Sequence, residues 1–241
     1  MIEIKPVGSG SSGNCYIIDD GRDQVILDAG INFKKVQAAM NFDFSRLRAV
    51  LISHDHGDHS KYIKKFIDNT TVPIFATQGT LDILGLDSSN YRFKVVKSKE
   101  TYSAGRMSIL PFDVVHDAPE PVGYRIISST GERLLYVTDT EYVKYRFKHI
   151  THMLVEMNYD QMIANDNSFG GRLNQTLKHR IMKTHFEKHN SLEFIKANKS
   201  ADLKEVWLIH ISKDNGDPKQ FKFATQELTG VPVYIAAEQI R

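Results

Sequence analysis

Apolar and polar residues alternate with a period of two in a series of short runs along this chain, the pattern of strands that bury one or both faces. Residues 1–7, 15–19 and 24–27 read this way, the last two as a hairpin around Asp19-Asp20-Gly21. Further strands are predicted over 48–52, 72–76, 91–96, 107–111, 122–127, 133–137, 152–157, 206–211 and 231–236. Helical spacing appears over 33–40, 61–67, 77–84, 175–185, 191–197 and 218–228, with Ser60 and Ser191 as N-caps of the second and fifth. Residues 158–174 are polar, rich in Asn and Gly, and without periodicity; a loop of that length suits a lid or a binding loop. Helices follow strands in both halves, so the pattern predicts two mixed sheets with helices outside, a layered α/β fold.

The 241 residues suffice to bury a sizeable core, and no linker or repeat divides them, so a single domain over 1–241 is expected. A formal net charge of +2 lacks the strong basic excess of proteins that hold long nucleic acid by its phosphates. The single cysteine, Cys15, leaves no internal disulfide framework, which fits a reducing, cytoplasmic setting. No apolar run approaches a membrane span, and the start of the chain has no signal-peptide core, so no membrane partner is expected.

The chemistry concentrates after the run Ala49-Val50-Leu51-Ile52. There Ser53-His54-Asp55-His56-Gly57-Asp58-His59-Ser60 packs three histidines and two aspartates into six consecutive positions. Ordinary loops draw on Gly, Pro, Asn, Asp and Ser instead. His54, His56, Asp58 and His59 supply four donors, and two metals with nitrogen and oxygen ligands need about seven or eight. His116, Asp139 and His210, each where a strand stops, bring the set to seven. A carboxylate can bridge two cations, and Asp139 is the natural candidate. Asp28, at another strand end, could support a ligand imidazole. The glycine-rich stretch Gly8-Ser9-Gly10-Ser11-Ser12-Gly13-Asn14 is either a simple hairpin connection or a loop that turns its N–H groups toward an anion.

These motifs, in this order and over nearly the whole chain, resemble those of metallo-β-lactamase-fold hydrolases. Gly10-Ser11-Ser12-Gly13-Asn14, Val115-His116-Asp117-Ala118-Pro119-Glu120-Pro121, Val137-Thr138-Asp139-Thr140 and Ile209-His210-Ile211-Ser212 are most similar to the YycJ/WalJ-like branch, which is related to RNase Z. The resemblance implies a four-layer αββα sandwich and two divalent metal ions, zinc or manganese. His54, His56, His116 and Asp139 would hold one, and Asp58, His59, Asp139 and His210 the other. It also implies a further histidine before a Ser-capped helix. His189, in His189-Asn190-Ser191, is the first choice and His185 its competitor, with Glu156 as the supporting carboxylate. Asp58, Glu156 and His189 are thus the candidate catalytic residues.

The expected reaction is metal-dependent hydrolysis of a nucleotide phosphodiester. The branch includes phage enzymes that hydrolyse 3',5'-cyclic mononucleotides to evade cyclic-nucleotide immunity, and nucleases acting on DNA or RNA. Near-neutral charge, no inserted nucleic-acid module between Asp139 and His210, and a lid over 158–174, closing across a homodimer, favour the cyclic substrate. Nuclease action is the alternative.

Overall fold

The computed structural model describes residues 1–240. Two sheets face each other. The first contains β1 (Glu3–Gly8), β2 (Cys15–Asp19), β3 (Gln24–Leu27), β4 (Leu47–Leu51), β5 (Ile74–Ala76) and β6 (Phe93–Val95), in that spatial order. β1, β2 and β3 run antiparallel, and β3 through β6 run parallel. The second contains β7 (Tyr102–Ala104), β8 (Met107–Asp113), β9 (Val122–Ile127), β10 (Arg133–Val137), β11 (His152–Glu156), β12 (Glu205–Ile209) and β13 (Val233–Ile235), again in chain order. Its first four strands are antiparallel neighbours and its last four parallel ones.

The alternation explains the layers. In β4, Ala49 and Leu51 enter the core between the sheets, while Val50 packs outward. In β12, Trp207 and Ile209 point inward, and Val206 and Leu208 outward. Both faces of these strands are therefore apolar, as parallel strands covered by helices require. α1 (Phe33–Ala39), α3 (Ile63–Asn69) and α4 (Gln78–Ile83) cover the first sheet through Phe33, Val36, Phe66 and Leu81. α7 (Lys188–Asn198) and α8 (Pro218–Thr229) cover the second through Phe194, Ile195 and Phe221. The result is the αββα sandwich. Among the described residues, no helix is long and apolar enough to cross a membrane.

Several local expectations change. Residues 158–174 are not a loop: they contain α5 (Gln161–Phe169), capped by Asp160 and paired with α6 (Gln175–Thr184). Only Ala164 and Asn167 of α5 are buried, so its apolar face is too narrow to give a helical period. Instead, Tyr159, Ala164, Leu173, Ile181 and Met182 fasten the two helices in a small separate cluster. α7 starts at Lys188 under a Glu187 cap, and Ser191 is buried inside it, donating its hydroxyl to the Glu156 carbonyl. Ser60 ends a single turn, α2 (Gly57–Ser60), and α3 begins only at Ile63. The short β7 was not foreseen; it exists through its pairing with β8.

At the end of the sandwich away from the ligand-bearing strand ends, Asp20 ties the β2–β3 turn to the β9–β10 turn. Its carboxylate accepts from the N–H groups of Arg22, Asp23 and Ser129. Burial works against the charge, but these donors outweigh it and hold the carboxyl at about 2, below the ordinary 3.8. A depressed carboxyl stabilises the fold fully above its unfolded value and loses that contribution as pH falls through its folded value. Asp20→Ala is thus expected to cost about 2 kcal/mol near neutral pH, with a gap to wild type that narrows toward pH 2. Chemical denaturation at pH 7, 4 and 2 checks this; a gap independent of pH would assign the loss to something other than the ionised carboxylate.

Candidate metal centre

The strand ends converge at one rim of the sandwich. β4 delivers the His54–His59 segment, the loop after β8 delivers His116, β10 leads to Asp139, and β12 to His210. Asp28 and His210 have positive φ, at 61° and 51°. Such backbone is unfavourable for residues with a side chain, and persists where surrounding contacts over-determine it. At Asp28 the contacts are four acceptor bonds, and at His210 a backbone N–H bonded to Ser9 Oγ.

Two groups of ligand-capable side chains hold the seven expected ligands. His54, His56 and His116 form one, and Asp58, His59, Asp139 and His210 the other; a third, overlapping group adds Glu156 and His185 to Asp139 and His210, and within each group the ligand atoms lie within 4.8 Å of one another. Asp139 stands between the groups, with Oδ1 3.2 Å from His59 Nε2 and Oδ2 3.9 Å from His116 Nε2. His56 Nδ1 and His116 Nε2 face each other at 3.0 Å. His54 Nε2 is buried and has no hydrogen-bond partner. An orphaned buried nitrogen is costly unless something else satisfies it, and a divalent cation among these imidazoles would do so. The residues present therefore fit metal ions. Asp55 belongs to none of these groups.

The other ring nitrogens are fixed from behind. Asp28 accepts from His59 Nδ1 at 2.7 Å, the Thr184 carbonyl from His116 Nδ1 at 2.7 Å, and Ser53 Oγ meets His54 Nδ1 at 3.0 Å. Each contact selects which nitrogen faces the centre. Electrostatics follow the same layout. Burial, then the neighbouring His59, pulls His54 well below the ordinary imidazole range. Burial acts the same way on His59 and His210, but Asp139 with Asp28 raises the first, and Asp139, Asp58 and Glu156 raise the second to about 10. Asp58 feels burial in the opposite sense, but the bonds from His210 and His59 hold its carboxyl low.

Glu156 is paired with a different histidine from the one expected. Glu156 is fully buried; Oε2 accepts from the N–H groups of Thr140 and Phe186, and Oε1 lies 2.7 Å from His185 Nδ1 and 3.0 Å from His210 Nδ1. The histidine beside the centre is thus His185, which lies just past the end of α6. His189 is exposed on the first turn of α7, where its backbone N–H serves the Glu187 cap, and it reaches none of the groups. The preference for His189 followed from taking Ser191 as the cap; the helix starts a turn earlier. Glu156 packed on Thr184-His185-Phe186 is the contact that separates the two histidines, and no local pattern carries it.

The glycine-rich loop resolves as a brace. Asn14 donates its backbone N–H to the Asp58 carbonyl at 2.7 Å and its amide nitrogen stands 3.0 Å from His59 Nε2. Asn14 and Tyr136, which donates its hydroxyl to Asp28, are supports that sequence reasoning did not single out.

Comparison with known proteins agrees with this layout. A family model described as "Beta-lactamase superfamily domain" matches residues 23–211, more than half of the chain and a span that includes all seven candidate ligands. The chain is similar to "Exodeoxyribonuclease WalJ" of Streptococcus pneumoniae, 29% identical over 225 residues that cover 87% of this chain and 81% of the relative. It is 24% identical over 227 residues to "Exodeoxyribonuclease YycJ" of Bacillus anthracis, covering 89% and 84%. Among solved structures, Zn(2+)-bound PqqB from Methylobacterium extorquens superposes with a TM-score of 0.73 at 14% identity, covering 98% of both chains, a likeness of fold.

Gly30 marks how tightly the brace fits. A Cβ there would lie 1.7 Å from the Asp58 carbonyl oxygen and 2.8 Å from the Asn14 nitrogen, both backbone atoms that cannot step aside. Gly30→Ala is expected to displace Asp58 and to lower the bound metal of purified protein by at least half, read by elemental analysis beside a melting curve. An unchanged metal content would separate this brace from the centre.

Proposed function

The chain belongs to the beta-lactamase superfamily and is a metal-dependent hydrolase, and from that premise we propose that it is a nuclease cleaving DNA phosphodiesters at two divalent cations. The observation that carries this reading is the similarity over more than four-fifths of the chain to two proteins named exodeoxyribonucleases. They favour the nuclease over the cyclic mononucleotide preferred on sequence grounds. The lid argument for the cyclic substrate also loses its basis, because α5 is fastened to α6 as a standing wall.

In this reading His54, His56, His116 and Asp139 would hold one cation, and Asp58, His59, Asp139 and His210 would hold the other. Zinc and manganese both suit such nitrogen and oxygen donors. Held there, such ions would supply positive charge for the phosphate and acidify water near neutral pH. The protein's own task is to fix geometry and protons. Asp28, the Thr184 carbonyl and Ser53 keep the ring nitrogens of His59, His116 and His54 turned toward the centre. Glu156, locked by two backbone N–H groups, accepts from His185 Nδ1 and leaves Nε2 free for substrate. His185 is then placed to give a proton to the leaving deoxyribose oxygen, a role assigned on sequence grounds to His189. General-acid help of this kind contributes about 10²–10⁴-fold.

Incubation of the metal-loaded protein with linear DNA, pre-tRNA and cyclic CMP, UMP, AMP and GMP tests the substrate class. DNA loss is expected; turnover of cyclic nucleotides with DNA intact would reverse the assignment. His185→Ala should slow DNA cleavage by about 100-fold or more, but bis(p-nitrophenyl) phosphate hydrolysis much less, since that leaving group needs no proton. His189→Ala should leave both rates within about twofold of wild type, as expected for an exposed residue away from the centre. Equal losses from His185→Ala on both substrates would remove the proton-donor role.

A further inference from the structure

A cavity of about 590 Å³ opens beside the metal centre, between the α5–α6 pair and the segment that follows β12. His185 and His210 form part of its wall, so it is continuous with the place where chemistry would occur. Cavities of this size hold one small molecule. One nucleotide fits such a volume.

The lining has two chemistries. Leu177 and Ile181, on α6, present an apolar wall, and Ile211, on the segment after β12, belongs to the same enclosure. Leu177 is 45% exposed on a helix whose neighbouring positions are Lys178, His179 and Arg180. Together with Ile181 and Ile211 it gives the cavity an apolar face that a flat apolar group can cover. The second chemistry is polar: Arg172 and Lys213, from different segments of the chain, are exposed cations in a lining that also carries Asp214 and the amides of Asn158, Asn167 and Asn215. A planar hydrophobic group joined to an anion is the complementary ligand, and a nucleotide is such a group.

We propose that this cavity is the subsite for one unpaired nucleotide of the substrate, with its base against Leu177, Ile181 and Ile211 and its backbone phosphate toward Arg172 and Lys213. The inference rests on the nuclease reading and adds a substrate class to it. The strand reaches the metals from an end whose last nucleotide is unpaired, so overhangs and frayed ends are cut before closed, base-paired ends.

The test uses full-length, metal-loaded protein and three variants, Leu177→Trp, Arg172→Ala and Lys213→Ala, with melting temperature and metal content as controls on folding and on the centre. Binding of dAMP is read by calorimetry, and cleavage is read on end-labelled DNA with either single-stranded overhangs or blunt ends closed by G·C pairs. Leu177→Trp fills the cavity, and should weaken dAMP binding and lower kcat/KM on overhang DNA by about tenfold or more, at wild-type metal content. Each cation removed should raise KM several-fold with little change in kcat, and reduce the salt dependence of DNA binding by about one phosphate contact. Wild-type protein should prefer overhang to blunt ends. Undiminished dAMP binding by folded, metal-loaded Leu177→Trp would overturn the subsite, as would equal cutting of both end types. If wild type cuts no DNA but hydrolyses a cyclic mononucleotide, the nuclease reading fails. The dAMP arm then still decides the cavity, because it measures binding without turnover.

Discussion

A single buried carboxylate holds the two halves of this protein in register. Asp28 stands at the end of β3 in the first sheet and is fully buried. It accepts from the N–H and hydroxyl of Ser53, from Nδ1 of His59, and from the hydroxyl of Tyr136 on β10 of the second sheet. A buried charge is tolerable only when its lone pairs are filled, and these four donors come from both sheets and from the histidine cluster. The same bonds that satisfy Asp28 orient His59, anchor the start of the cluster, and clamp the sheets at the rim where the ligands gather. Removing any one donor would disturb the centre and the sandwich together.

Glu156 performs the matching task in the second half. It too is fully buried, with one oxygen tied to the backbone at Thr140 and Phe186 and the other shared by His185 and His210. Asp28 therefore positions a histidine from the first sheet's cluster, and Glu156 positions two from the second sheet's side. Asp139 stands between the groups they organise. The centre is assembled from rigid strand ends, while α5 and α6 build the wall beside it. Gly30 shows the tolerance involved, since the Asp58 backbone leaves no room for a methyl group there.

Much of this was readable along the chain. Alternation located β9, where Val122, Tyr124 and Ile126 enter the core, and near-continuous apolar runs located β10, β11 and β12, which are buried on both faces. The His54–His59 cluster was legible because three imidazoles at such spacing have no use in an ordinary loop. His116, Asp139 and His210 could be added because each closes an apolar run, and strand ends are where this class of fold gathers its polar groups. Asp28 was recognisable as a support for the same reason. The layered α/β class followed from the order of elements, before any contact was known.

What the sequence alone determined is therefore the sandwich, the seven ligand-capable side chains and the carboxylates behind them, since each is written in local periodicity or in residue type at a strand end. Tertiary structure alone decided which histidine joins Glu156, that 158–174 contains a wall helix rather than a lid, and that a nucleotide-sized cavity abuts the centre. The reason is common to all three. Cap position shifted α7 by a turn and left His189 outside. The α5–α6 pair coheres through Tyr159, Leu173 and Ile181, which are distant in sequence and too few to impose a period. The cavity is bounded by segments roughly forty residues apart, and only the tertiary fold brings Leu177 and Ile211 to line the same space.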